Sequence, residues 1–326
     1  MTRTKRPASR RAYRSSFREW DSQAWVRSKP HPAPGFAPGL HYFSPALCPV
    51  LAHPAVAAAP RRIREDLLVH ALYLHLEFTV RLETGPVNEV CLLLRQPALL
   101  PGLLPGLPAE MRDDALRIYT DEAGHSEMSQ TLMTAVRRAT GVPPVIHQPR
   151  FLTELADICA GAADVPTQLI KLLFVIVSET LITSTLSDLP DDESVQPPVR
   201  DHALDHATDE RRHHAYFRQL FDFVWPQLPA ATRHRIGPLL PRMIMSFLGT
   251  DTDAWTAVFA SLPESFPDPA RLAAEAATDP LARWVSEGAR PTLRMLQAAG
   301  VLADPAVRAA FAASPLDLEP DSPCES

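Results

Sequence analysis

Two short segments of the chain carry the same polar skeleton. Thr120-Asp121-Glu122-Ala123-Gly124-His125 and Thr208-Asp209-Glu210-Arg211-Arg212-His213 both read Thr-Asp-Glu-x-x-His. On a helix, positions i and i+3 lie about 60° apart and share a face. Glu122 therefore points with His125, and Glu210 with His213. His206, four residues before Glu210, is about 40° off and joins the second face. His214 stands beside His213 at i+4. The i+3 spacing repeats the first segment and favours His213, but spacing alone decides between the two. His202, two turns before Glu210, is expected to face solvent or to bond near the helix start.

Two further carboxylates sit where acids are costly. Glu179 lies inside the apolar run Leu169–Leu186, and Glu83 ends another apolar stretch. A lone buried carboxylate costs several kcal/mol unless it is protonated, paired or metal-bound. Neighbouring Glu77 and Glu89 compete with Glu83. Glu77 faces elsewhere on the same helix, and Glu89 lies beyond the Gly85-Pro86 pair. One glutamate from each of two helices, plus Glu-x-x-His from each of two others, is the ligand set of di-iron carboxylate bundles. Carboxylates are hard anions able to bridge two irons, and neutral imidazoles cap each metal and leave room for dioxygen. The repeat suggests two half-sites, each giving a glutamate and a histidine to one iron. Asp121 and Asp209, each one residue before a glutamate, are placed to accept the free ring N–H of the opposite pair's histidine.

These residues need helices to hold them. From Arg61 onward the chain is rich in Leu, Ala, Arg and Glu, all good helix formers. Helices are predicted over roughly 61–84, 110–139, 150–162, 166–188, 198–226, 229–249, 280–299 and 303–313, between Gly- and Pro-rich breakers. Almost no sheet is expected. The predicted fold is all-α: a ferritin-like helical bundle with additional C-terminal helices and a proline-rich extended N-terminal arm. The expected organisation is a flexible basic and proline-rich arm over 1–60, a bundle over 61–313 with its metal core in 61–250, and an acidic tail over 314–326. His70 and His75 read as core or rim histidines.

Composition narrows the classes. The net charge of −6 over 326 residues argues against a nucleic-acid partner. Cys48, Cys91, Cys159 and Cys324 are far apart, which disfavours a zinc ribbon, an iron–sulfur site or a disulfide framework and suits a cytoplasmic protein. The basic N-terminus has no apolar core and does not read as a secretory signal. Leu169–Leu186 contains Lys171 and Glu179 and reads as a core helix rather than a membrane span. No Gly-rich nucleotide fingerprint is visible, so electrons are expected from an external donor or reductase.

The set Glu83, Glu122-x-x-His125, Glu179 and His206-x-x-x-Glu210-x-x-His213, with "ETGPVN" after the first glutamate, resembles the p-aminobenzoate N-oxygenase family of non-haem di-iron enzymes. The resemblance spans about residues 61–250. It implies seven ligands, with His206 as the additional nitrogen that generic ferritin-like proteins lack. It also implies two iron ions, dioxygen as co-substrate, oxygenation of an amine to hydroxylamine, nitroso or nitro products, and often a homodimer in specialised metabolism. The family's aryl-amine enzymes hold a substrate carboxylate with a tyrosine and an arginine. At about the tyrosine's place this chain has His75, with Tyr73 nearby, and Arg290 or Arg294 could supply the cation. The amine is therefore open between aryl, alkyl, amino-acid and carrier-bound forms. C–H hydroxylation or desaturation, and iron storage, are the rival readings.

Overall fold

The computed structural model describes residues 12–28, 35–96, 104, 106–186, 189–262, 265–277 and 281–316. In chain order the α-helices are α1 (Trp20–Gln23), α2 (Trp25–Ser28), α3 (Pro54–Ala57), α4 (Arg61–Leu82), α5 (Asn88–Arg95), α6 (Ala109–Thr140), α7 (Arg150–Gly161), α8 (Thr167–Leu186), α9 (Pro197–Val224), α10 (Ala230–Ile236), α11 (Leu240–Leu248), α12 (Thr252–Ala260), α13 (Pro269–Ala276), α14 (Leu281–Ala298) and α15 (Pro305–Ala312). Among the described residues there is no strand, only an isolated bridge between His41 and Val195.

The centre of the fold is α4, α6, α8 and α9. α8 packs on α9, α4 and α5 pack on α6, and α6 crosses α9. α8 is apolar all round because it is covered all round: Leu172 to Val177 are all buried. α6 ends at Gly141, whose φ of 73° lets its N–H close the last turn onto the Arg137 carbonyl. α9 starts on Pro197-Pro198, where a missing N–H costs nothing.

Several boundaries differ from the sequence expectation. Gly85-Pro86 breaks the helix as expected, but the break is a kink and not a loop. The chain widens into a π-turn, Glu83–Val87, and continues as α5. Pro86 lacks an N–H and its ring would clash with the carbonyl four residues back in a regular helix, and Gly85 leaves helical geometry there, at φ −96° and ψ −107°. The helix expected over 229–249 is split at Gly237-Pro238 into α10 and α11. α12 and α13 were not anticipated, although Asp251 and Asp268 cap them from the sequence-visible N-cap position.

Within the expected flexible arm, the described residues are docked. Phe17 and Trp25 are buried in the core, and residues 12–28 pack against α6 and α9. Residues 35–60 are proline-punctuated short turns and α3, with Gln196 hydrogen-bonded to the backbone of Ala37 and Leu40. The first eleven residues, residues 97–103 and 105, and residues 317–326 of the expected acidic tail lie outside the described residues.

Candidate metal centre

Seven polar side chains meet in the middle of the bundle. Glu83 comes from the π-turn after α4, Glu122 and His125 from α6, Glu179 from α8, and His206, Glu210 and His213 from α9. None is more than 1% exposed. They form two overlapping groups: Glu83, His125, His206 and Glu210; and Glu122, Glu179, Glu210 and His213. Within each, one ligand atom per residue lies within 4.8 Å of the others. Each group is able to hold a metal ion.

The groups do not divide as two sequence repeats. Glu210 belongs to both, with Oε1 3.3 Å from His206 Nε2 and 3.1 Å from His213 Nδ1. Glu122 faces both histidines of the repeat, Oε2 at 3.3 Å from His125 Nδ1 and Oε1 at 3.0 Å from His213 Nδ1. The two separate half-sites are thus replaced by shared carboxylates. The i+3 geometry puts each glutamate beside its own histidine, and the α6–α9 crossing brings the opposite histidine equally close.

His125 and His213 present Nδ1 to the centre and turn Nε2 outward. His125 Nε2 donates to Asp209 at 3.1 Å, and His213 Nε2 donates to Asp121 at 3.2 Å. Each aspartate therefore serves the histidine of the other helix. The aspartates are held in turn: Asp121 accepts from Trp20 Nε1 on both oxygens, at 2.8 and 2.9 Å. Asp209 accepts from the Trp25 backbone N–H at 3.2 Å and from Arg212. Carboxylates that fix the ring orientation of a metal-binding histidine also make it a better ligand.

The charge balance calls for cations. Burial pushes Glu83 up to about 7, helped by Glu122. Burial, Glu210 and Glu122 also push Glu179 well above the usual carboxylate range. Burial opposes charge on His125, yet its hydrogen bonds to Asp209 and Glu122 outweigh this and raise its pKa. Burial likewise opposes charge on Glu210, but His213 and His206 hold it below the ordinary value. Glu83 Oε1, Glu122 Oε1, Glu179 Oε2, Glu210 Oε2 and both ring nitrogens of His206 are buried without a hydrogen bond of proper geometry. Orphaned lone pairs on four carboxylates and an imidazole, converging in a dry site, are costly unless cations meet them. Two divalent cations would balance the four carboxylates.

The remaining candidates are placed as follows. His214 belongs to neither metal group and is half-buried. Glu77 pairs with Arg81 and Glu89 with Lys171, both away from the centre. His202 is not at the surface: it is buried and hydrogen-bonded to Ser129 Oγ at 2.9 Å. Tyr73 and His75 point different ways, as residues two apart on a helix must. Tyr73 donates to the Val142 carbonyl at 3.0 Å, beside a recess of about 210 Å³. His75 instead lines a cavity of about 580 Å³ with Phe78, Thr79, Phe151, Phe247 and Trp255. Burial, then the nearby charge of His206, lowers His75 to about 4. Arg290 and Arg294 lie exposed on α14 and do not line this cavity; α14 contributes Glu287 to it, and its buried Thr292 is bonded to Thr180. The cation on the cavity wall is Arg150, which sequence reasoning missed. It sits at the start of α7 and is brought to the cavity by tertiary packing alone.

The fold and this site define a class: an all-α, ferritin-like bundle with a buried centre of glutamates and histidines. The family model of p-aminobenzoate N-oxygenase AurF matches residues 7–300, and the chain belongs to that family of di-iron oxygenases. The match extends well beyond residues 61–250, taking in the N-terminal segment and α14. No curated protein matches. No helix among the described residues is long and apolar enough to cross a membrane.

Proposed function

We propose that this protein is a dioxygen-dependent di-iron N-oxygenase that converts an amine to its hydroxylamine and onward to nitroso or nitro products. The observation that carries the reading is the seven-residue centre with His206 inside it, in a chain of this family. Glu83, His125, His206 and Glu210 would hold one iron, and Glu122, Glu179, Glu210 and His213 the other. Iron bound there would supply the activation of dioxygen. One oxygen atom goes to nitrogen and the other leaves as water, with two electrons and two protons from an external donor.

The chain's own residues set the conditions. The α8 wall and the buried aromatic residues exclude water. Asp121 and Asp209 keep the Nε2 protons of His213 and His125 outward and their Nδ1 lone pairs inward. His75, neutral at pH 7, lines the cavity, feels the charge of His206 and has a buried Nε2 without a hydrogen-bond partner. It is suited to accept an N–H from the amine and keep the nitrogen lone pair aimed at the centre. Phe78 packs edge-on against Phe151 and Phe247, with centroids at 4.7 and 5.1 Å. This wall favours an amine with an aromatic or otherwise apolar body. Arg150 at the same cavity is paired with Glu154, and Asp251 and Glu287 also line the cavity, so its charged groups carry both signs. A homodimer, a cytoplasmic location and a role in specialised metabolism complete the reading and rest on family membership.

The test is product analysis. Anaerobic protein is loaded with ferrous iron, mixed with ¹⁸O₂ and a panel of aryl and alkyl amines, and assayed by mass spectrometry. The reading expects label on nitrogen. Label on carbon, or ferrous oxidation with every amine untouched, would replace it with hydroxylation or iron storage.

A further inference from the structure

Residues 12–28 touch the outer side of the centre at four places. Trp20 Nε1 holds both oxygens of Asp121, the partner of His213. The Trp25 N–H holds Asp209, the partner of His125. Phe17 lies nearly parallel to the His213 ring, with centroids 6.0 Å apart and an interplanar angle of 19°. Ser16 Oγ donates to the Arg212 carbonyl at 3.0 Å.

The two repeats differ in a way this segment explains. Where the second copy has Arg212, which pairs with its own Asp209, the first has Gly124. A Cβ on Gly124 would collide with Val26 Cγ1, and Trp25 lies just beyond. The first copy therefore lacks a side chain there because the segment occupies the space. Its aspartate is held by Trp20 instead of by an arginine of its own helix.

We infer that residues 12–28 are a strap seated on Gly124 and that Trp20 is a positioning residue for the metal held by Glu122, Glu179, Glu210 and His213, acting through Asp121 and His213. This rests on the di-iron reading above. Both oxygens of Asp121 share the single indole N–H of Trp20, which holds the carboxylate plane and so the tilt of the His213 ring. Removing the indole N–H frees that plane and weakens one ion of the two, because His125 and Asp209 keep their own partners.

The experiment titrates cobalt(II) into full-length metal-free protein anaerobically, followed by visible absorption, for wild type, Trp20→Phe and Gly124→Val. Trp20→Phe keeps an aromatic ring and loses only the donor. Gly124→Val displaces the strap from its seat. Wild type is expected to bind two ions. Trp20→Phe should bind one with unchanged affinity and the other about tenfold more weakly, with an altered spectrum for that ion. Gly124→Val should weaken both ions, since it moves the Trp20 and Trp25 contacts together. Thermal unfolding of the metal-free Trp20→Phe protein should match wild type, which separates positioning from general support of the fold. If wild type binds two ions and Trp20→Phe gives the same isotherm and spectrum, the strap proposal falls and the di-iron reading stands. Equal weakening of both ions in Trp20→Phe with a lower melting temperature would also overturn it. If wild type binds none, both fail.

Discussion

Asp209→Asn is the substitution whose effect the structure specifies most fully. Asp209 is completely buried and accepts three donors: His125 Nε2 and the Trp25 N–H on Oδ2, and Arg212 on Oδ1. Asparagine keeps the shape, so no cavity forms, but it has one acceptor oxygen and an NH₂ group. With the oxygen toward His125, the NH₂ meets the Arg212 guanidinium, and donor faces donor. With the amide flipped, the NH₂ meets both His125 and the Trp25 N–H. The flip that keeps two bonds wins. The loss is then one charge-assisted hydrogen bond and the negative charge opposite Arg212, worth about 1.5–3 kcal/mol. Metal affinity falls as well, because His125 loses the anion that orients it, and about 10- to 100-fold is expected for the ion that His125 holds. Urea unfolding of the metal-free protein and an anaerobic ferrous titration measure the two effects. Wild-type affinity for both ions, at any stability, would refute the claim that Asp209 acts through His125.

Burial alone lowers His70 to about 4 from 6.5. Its folded pKa lies below its unfolded one, so its contribution is full above pH 6.5 and is lost as pH falls toward 4. That loss amounts to about 3 kcal/mol at most. His70→Leu should flatten the fall in urea-measured stability across that window; an unchanged profile would place the cause elsewhere. His75→Phe should leave iron content intact and cut amine turnover at least tenfold, about 1.4 kcal/mol or more in barrier, with KM and kcat measured separately. Full activity would remove His75 from the amine's surroundings.

Much of the centre was readable because its members lie within single helices. Glu122 with His125, and His206, Glu210 and His213, share faces by helical spacing alone, and Glu179 is conspicuous as an acid in an apolar helix. The role of the aspartates followed from their place one residue before each glutamate. Counted from Glu210, His202 falls about 80° off the ligand face, which suggests the surface. Measured from His206 it is one turn away on the same stripe, and the buried Ser129 hydroxyl meets it. The parts that could not be read depend on distant packing. Trp20 lies 101 residues from Asp121, and Trp25 lies 184 from Asp209. Neither basic composition nor proline content reveals that the arm docks there. Arg150, the cavity and the exposed position of Arg294 depend on how α7, α11 and α14 are laid around the bundle. Gly85-Pro86 reads as a stop, and the helix does kink there; only the packing of α4 and α5 on α6 shows that a second helix resumes directly after it.

The central claim is that one buried cluster holds two irons through shared carboxylates. Iron content after anaerobic ferrous loading and desalting, compared between wild type and Glu210→Ala, tests it most directly. Glu210 is the residue common to both groups. The account predicts two irons per chain in wild type and loss of both in Glu210→Ala, with the variant still helical by circular dichroism. Two irons retained by Glu210→Ala, or one or none in wild type, would contradict it.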